Sequence, residues 1–343
     1  MGKLFKFVGA LLGVLVGLVV VLLCYVSVAL PKVVAADQSL KIEITPQRVK
    51  RGAYLANSVA ACMGCHSQRD WNIYGHPIKP GTLGMGGEPI FDARIGLPGT
   101  LHPKNITPYG LKDTSDGELV RVLRTGVRKN GEPLFPFMPY QAFAQMSQED
   151  LYSIIAYLRT LPPIPNDVDE HKLMFPVNFI VRTIPKDAPA YPSAPDPKDS
   201  VAYGKYLVNM GSCAACHTPV DGHHQPIPGK DFAGGQIFPC LNSRWLCHPG
   251  GGVLRVPNIT PDQDTGIGNW SKQDFIARFA GWRGEAGKAQ MHKLDLDKGD
   301  YLELMPYREY SGMTDQDLGA IYDYLRTVPP VNNAVVRFEP PKL

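Results

Sequence analysis

The chain carries the same set of motifs twice, and that duplication limits its possible folds more than any other feature. Residues 51–66 read RGAYLANSVAACMGCH, and residues 203–217 read YGKYLVNMGSCAACH. An NITP tetrapeptide follows each, at 105–108 and at 258–261. Then MPYQAFAQMSQEDLYSIIAYLRTLPP at 138–163 is matched by MPYREYSGMTDQDLGAIYDYLRTVPP at 305–330. Motifs recurring in one order mark a repeated unit that buries equivalent apolar faces in both copies. The boundaries fall at 45–165 and 198–332, and 343 residues suffice for two such domains. Between them, 166–197 reads as an extended, semi-rigid linker carrying Pro185, Pro189, Pro192, Pro195 and Pro197. Residues 333–343 form a tail.

Within each repeat the pattern is helical. The closing helices are expected to start at capping boxes, Ser147 with Asp150 and Thr314 with Asp317. Apolar residues follow at helical spacing, Leu151, Ile154, Ile155 and Leu158 in one copy and Leu318, Ile321, Tyr322 and Leu325 in the other. Double prolines at 162–163 and 329–330 stop both. An earlier helix opens at Ser115 with Glu118, and its counterpart at Ser271 with Asp274. No long alternating pattern suggests strands, so the fold class is mostly α.

The N-terminus adds one element. Residues 7–30 are uncharged and almost wholly apolar, preceded by Lys3 and Lys6. A secretory signal has an apolar core of roughly 7–15 residues, whereas a spanning helix needs about 20. Residues 1–36 therefore read as a transmembrane anchor with a cytoplasmic N-terminus and the rest on the far side. A signal peptide cleaved after Ala36 is the rival reading. Gly9, Gly13 and Gly17 recur at the four-residue interval that lets membrane helices approach one another. The formal charge of +3 equals the contribution of Lys3, Lys6 and Lys32, so the remainder is neutral. That excludes a basic nucleic-acid-binding surface.

Cys62-Met63-Gly64-Cys65-His66 and Cys213-Ala214-Ala215-Cys216-His217 carry the chemistry. Each is a C-x-x-C-H sequence, the pattern of covalent c-type haem attachment. Two cysteines reach two vinyl groups of one porphyrin, and the adjacent histidine lies beneath the iron. Redox dithiols and zinc sites also use C-x-x-C, but neither requires a histidine after both copies. The sixth iron position decides what such a site does: an open one favours chemistry on small molecules, and a methionine favours electron transfer. Met138 and Met305 stand in the same Met-Pro-Tyr context and are the expected axial ligands. Met146 and Met313 also correspond, and read as packing residues. The hydroxyls of Tyr140 and Tyr307 are placed to reach propionates or simply to pack.

This order of motifs, C-x-x-C-H, NITP, MPY and a closing YLRT-(L/V)-PP helix, resembles the haem domains of bacterial multihaem cytochrome c subunits. The likeness is to those of membrane-bound gluconate and alcohol dehydrogenases, and it covers nearly all of 48–332. It implies two tandem cytochrome c-type domains, two covalent haem c groups, and His/Met ligation at His66/Met138 and His217/Met305. It also implies that Asn105, Thr107, Asn258 and Thr260 line the haem edges. The chain differs from that family in having two motifs instead of three, and an N-terminal instead of a C-terminal membrane segment.

The expected function is single-electron transfer in a membrane-associated respiratory or photosynthetic chain. The partners would be a quinol- or substrate-oxidising membrane complex and a terminal oxidase or soluble carrier. The haem domains would be periplasmic on the bacterial inner membrane, with no independent substrate turnover. The alternative is a periplasmic di-haem enzyme such as a peroxidase, which needs one open iron. Cys240 and Cys247 read as a disulfide in an oxidising compartment. Zinc held with His223, His224 and His248 is the lesser reading there. The apolar stretch 173–181 is expected to pack between the two domains, with contact to lipid or a partner as the alternative.

Overall fold

The structure is a computed structural model describing residues 2–89, 91–92, 98–222, 225–239, 253–295 and 300–340. It is mostly helical. Helix α1 (Gly2–Ala29) has a mean hydropathy of 3.0 across its spanning window and is exposed apart from Val26 and the half-buried Leu23. Its 28 residues extend about 42 Å at about 1.5 Å per residue, more than the roughly 30 Å of a bilayer's hydrocarbon. Among the described residues, nothing beyond the helix's own neighbouring backbone lies within 4 Å of where side chains on Gly9, Gly13 and Gly17 would begin. The small-residue face is uncovered.

The first half contains α2 (Pro46–Tyr54), α3 (Cys62–His66), α4 (Asp116–Thr125), α5 (Tyr140–Phe143) and α6 (Gln148–Thr160). A short helix α7 (Val177–Ile180) follows. The second half contains α8 (Ser200–Met210), α9 (Cys213–His217), α10 (Lys272–Ala280), α11 (Gly284–Gln290), α12 (Tyr307–Tyr310) and α13 (Asp315–Leu325). In each half the first and last of these helices cross at a glycine. A Cβ on Gly52 would fall 1.8 Å from the Ser153 carbonyl, and one on Gly204 1.9 Å from that of Ala320. Only a residue without a side chain permits backbones that close. Around the first crossing α6 buries Leu151, Ile154, Ile155 and Leu158, each contributing roughly 1.5–3 kcal/mol of gross stabilisation.

Nine residues separate Gly52 from Cys62, but eight separate Gly204 from Cys213. The extra residue is taken up in a π turn, Leu55–Val59, where the Ala60 N–H donates to the Leu55 carbonyl five residues back at 2.8 Å. A π turn is the way a helix absorbs one inserted residue without losing its course. The cysteine motif is thereby delivered after the crossing in both halves.

Strands are short. β1 (Phe91–Asp92), β2 (Gly99–Leu101) and β3 (Lys172–Leu173) form one antiparallel sheet; β4 (Ile237–Pro239), β5 (Val253–Arg255) and β6 (Phe338–Glu339) form another. The third strand of each comes from the segment after the closing helix. The start of the linker and most of the tail thus fold back onto the half that precedes them.

The two halves share a core: Leu55, Val59 and Ile155 from one join Leu207, Met210 and Leu318 from the other in a single apolar cluster. Their contact also changes the helix caps. The boxes at Ser115/Glu118 and Ser271/Asp274 are complete, with each side chain reaching the other's backbone. At Ser147 and Thr314 only half of the expected box forms. Each side chain accepts from the N–H three residues on, but the reciprocal bond is replaced by a tyrosine from the opposite half. The Ser147 N–H donates to the Tyr206 hydroxyl at 3.0 Å, which donates to Asp150 at 2.8 Å. Correspondingly, the Thr314 N–H donates to the Tyr54 hydroxyl at 3.2 Å, which donates to Asp317. Each tyrosine is the residue two places after the crossing glycine.

Candidate haem-binding sites

Each C-x-x-C-H motif is a single helical turn, α3 or α9, preceded by a residue in the left-handed region. These are Ala61 at φ 49° and Ser212 at φ 53°. A non-glycine residue there costs of order 1 kcal/mol or more and persists only where its surroundings impose it. Such strain gathers at ligand clamps. Cys62, Cys65, Cys213 and Cys216 are all free, and burial pushes the Cys62 and Cys213 thiols up to about 12. The chain approaches itself just before the two motifs: a Cβ on Gly211, two residues before Cys213, would lie 3.4 Å from the carbonyl of Val59, three residues before Cys62.

The histidines are oriented alike. His66 Nδ1 lies 2.7 Å from the Lys104 carbonyl, and His217 Nδ1 lies 2.9 Å from that of Pro257. A carbonyl only accepts, so each Nδ1 carries the proton and each Nε2 keeps its lone pair for a metal. Burial holds both imidazoles neutral, His217 at about 4 and His66 also below the usual range. Lys104 and Pro257 immediately precede the two NITP segments. Asn105 donates to the Ile164 and Asn166 carbonyls at 2.8 and 3.1 Å and accepts from Thr107 N–H and hydroxyl. Asn258 donates to the Val331 carbonyl at 2.8 Å and accepts likewise from Thr260. All four side chains are buried and occupied with the chain itself. Their segments stand directly after the carbonyls that accept from the two histidines.

A glycine closes each clamp. Gly86 and Gly234, at φ 63° and 71°, donate their N–H to the His66 and His217 carbonyls, both at 2.7 Å. A Cβ on Gly86 would lie 2.4 Å from the Pro103 carbonyl, and one on Gly234 2.5 Å from the Asn258 nitrogen. No side chain fits between the histidine turn and the NITP strand.

Met138 and Met305 are partly buried against the common core, each beginning a loop closed by the N–H of the tyrosine two residues on. The tyrosines differ. Tyr307 accepts from Arg278 Nε at 3.0 Å and lies under that guanidinium. Tyr140 is 2% exposed, and its hydroxyl is buried with no partner among the described residues. Burial alone pushes that hydroxyl up to about 12. A buried, unpartnered donor beside the Met138 loop fits a group that brings its own acceptor, as a haem propionate would. Ser212 Oγ, next to Cys213, is likewise buried and unpartnered.

Sequence reasoning missed Arg69 and Glu309. Their side chains, 10% and 7% exposed, form an ion pair at 2.9 Å between the halves. Arg69 also donates to the Gly64 carbonyl inside the first motif, and Gly64 has no room for a side chain beside the guanidinium. A lone arginine three residues after His66 gives no sequence signal of a partner 240 residues away. Cys240 and Cys247, together with His223, His224 and His248, lie outside the described residues. Among the described residues no group of three His, Cys, Asp or Glu side chains is placed to hold a metal ion.

No protein-family model matches the chain. Curated relatives do. It is 29% identical over 304 residues to the cytochrome c subunit of the quinone alcohol dehydrogenase of Komagataeibacter europaeus, covering 82% of this chain and 56% of that one. It is 30% identical over 249 residues to the gluconate 2-dehydrogenase cytochrome c subunit of Pantoea cypripedii, covering 66% and 49%. A diheme cytochrome c-type protein of Cereibacter sphaeroides is 28% identical over 247 residues, covering 68% and 73%. The chain spans about half the length of the dehydrogenase subunits it matches.

Proposed function

We propose, taking as premise that its homologues are cytochrome c subunits of alcohol, fructose and gluconate dehydrogenases and a diheme cytochrome c, that this chain is a two-haem electron carrier. The observation that carries the reading is the paired clamp: two C-x-x-C-H turns, each with its histidine tautomer fixed by a backbone carbonyl. His66 and His217 would supply one axial nitrogen each, Met138 and Met305 the opposing sulfurs, and Cys62, Cys65, Cys213 and Cys216 the thioether links. Haem, when bound, supplies the one-electron redox change.

The protein's own part is to hold. Buried histidines stay neutral, the proline after each methionine stiffens its loop, and the fused core fixes the distance between the sites. Little rearrangement then accompanies a change in iron charge. The two domains are read as tandem cytochrome c-type units, 45–165 and 198–332, after an anchor at α1. The haems would face the periplasm, and the chain would pass electrons from a membrane dehydrogenase toward the respiratory chain.

Purification from native membranes in mild detergent tests this reading. A dehydrogenase subunit should accompany the haem-stained chain, and the reduced protein should not bind carbon monoxide rapidly. Rapid stoichiometric binding at one iron would turn the reading toward a peroxidase-like enzyme.

A further inference from the structure

The apolar stretch after the first half does not pack between the halves. Met174, Phe175 and Ile180 are 62%, 67% and 54% exposed, while Val177 and Phe179 between them are half-buried. The stretch stands at the foot of α1. Helix α7 and the turn after it touch the end of α1, where Val26 is the one buried residue of that helix. Arg182 donates to the Leu30 carbonyl, just past the last turn of α1, at 3.0 Å, and its other nitrogen grips both Glu132 oxygens at 2.6 and 2.7 Å. The Val34 N–H donates to Asp187 at 2.6 Å. At its other end the stretch is held by β3 on β2 and by the Met174 N–H on the Pro98 carbonyl at 2.8 Å. It is therefore fixed both to the exit of α1 and to the body of the first half.

We propose that Met174, Phe175 and Ile180 lie in the interfacial layer of the bilayer that α1 crosses, so that the first half sits on the membrane instead of swinging from a tether. The inference rests on α1 being a membrane anchor. Its occupant follows from continuity: three large apolar side chains are held beside the end of a helix whose own surface is apolar and uncovered. An aromatic residue with aliphatic neighbours beside a spanning helix is the composition of an interfacial contact. Seating would fix the height and tilt of the first cysteine motif above the surface, which a flexible tether would leave free.

The full-length protein in nanodiscs of phosphatidylcholine provides the test. Two diazirine-bearing phosphatidylcholines serve as probes, one reactive at the end of the acyl chain and one near the glycerol. Peptides carrying adducts are mapped by mass spectrometry. The expected result is acyl-end adducts on α1 and glycerol-level adducts on residues 173–181, well above those on the exposed apolar Val201 and Trp270. Replacing Phe175→Ser and Ile180→Ser together should abolish the second set and leave the first unchanged. Labelling of α1 with residues 173–181 at the level of Val201 overturns the seating and keeps the anchor. No labelling of α1 overturns both.

Discussion

Around the shared core, two polar contacts between the halves differ, one reciprocal and one not, and the difference separates what the halves have in common from what distinguishes them. The reciprocal contact is the tyrosine latch, Tyr54 to Thr314 and Asp317, and Tyr206 to Ser147 and Asp150. An unreciprocated contact is the buried ion pair of Arg69 with Glu309. At the corresponding places of the opposite copies stand Val220 and Ala142, which make no such pair. The latch is common to both halves, and the ion pair makes them unlike. The latch is itself uneven, because Asp150 also accepts a bidentate Arg51, at 2.8 and 3.0 Å, where the second copy has Tyr203 at the matching position.

The largest effect should come from the unreciprocated pair. Arg69→Met or Glu309→Met alone strands a buried charge and should cost about 3–5 kcal/mol. The double substitution, both positions apolar as in the opposite copy, should recover most of that in denaturant unfolding. Additive losses would show that the two do not act as a pair. Next come the crossings. Gly52→Ala and Gly204→Ala each force helices apart and should cost roughly 1–3 kcal/mol or more, with fewer haems retained per chain. Similar losses in both halves would fit crossings of equal tightness.

The latches sharpen the comparison. Tyr54→Phe should cost about 1–3 kcal/mol, because Asp317 loses the hydroxyl that stands between it and the Thr314 N–H. Tyr206→Phe should cost less, since Asp150 retains Arg51; equal midpoint shifts would contradict that reading. Smallest in stability, though not in potential, is the pair of loop tyrosines. Tyr140→Phe removes a hydroxyl with no partner among the described residues and should change stability by no more than about 0.5 kcal/mol. If that hydroxyl serves a propionate, its loss leaves more negative charge near the first iron. A redox titration should then show that midpoint falling while the second stays. Tyr307→Phe instead deprives Arg278 and should act mainly on folding.

Much of this architecture was legible in the chain. Four N-terminal helix signals fell at the residues that cap, because capping is local and needs only a side chain three residues from its partner. The cysteine turns and NITP segments were legible as motifs, but NITP's work was not. Asn105 and Asn258 were legible as haem-edge candidates by resemblance, but their amide bonds to the backbone that follows the closing helices were not. The half-formed boxes at Ser147 and Thr314 were beyond local reasoning, because a tyrosine from the other half intervenes. One signal was available and went unread: the single extra residue between Gly52 and Cys62, which the π turn absorbs. Arg69 and Glu309 gave none, and the exposure of Met174, Phe175 and Ile180 was not legible because apolarity alone does not distinguish a buried stretch from an exposed one.

The central claim is two irons, each between a histidine nitrogen and a methionine sulfur. The absorption band of the oxidised protein that reports sulfur bound to ferric iron tests it most directly, read in the intact chain and in Met138→Leu and Met305→Leu. The account predicts that each substitution removes half of the band and both together remove it all. A band absent from the intact protein, or untouched by either substitution, would contradict it.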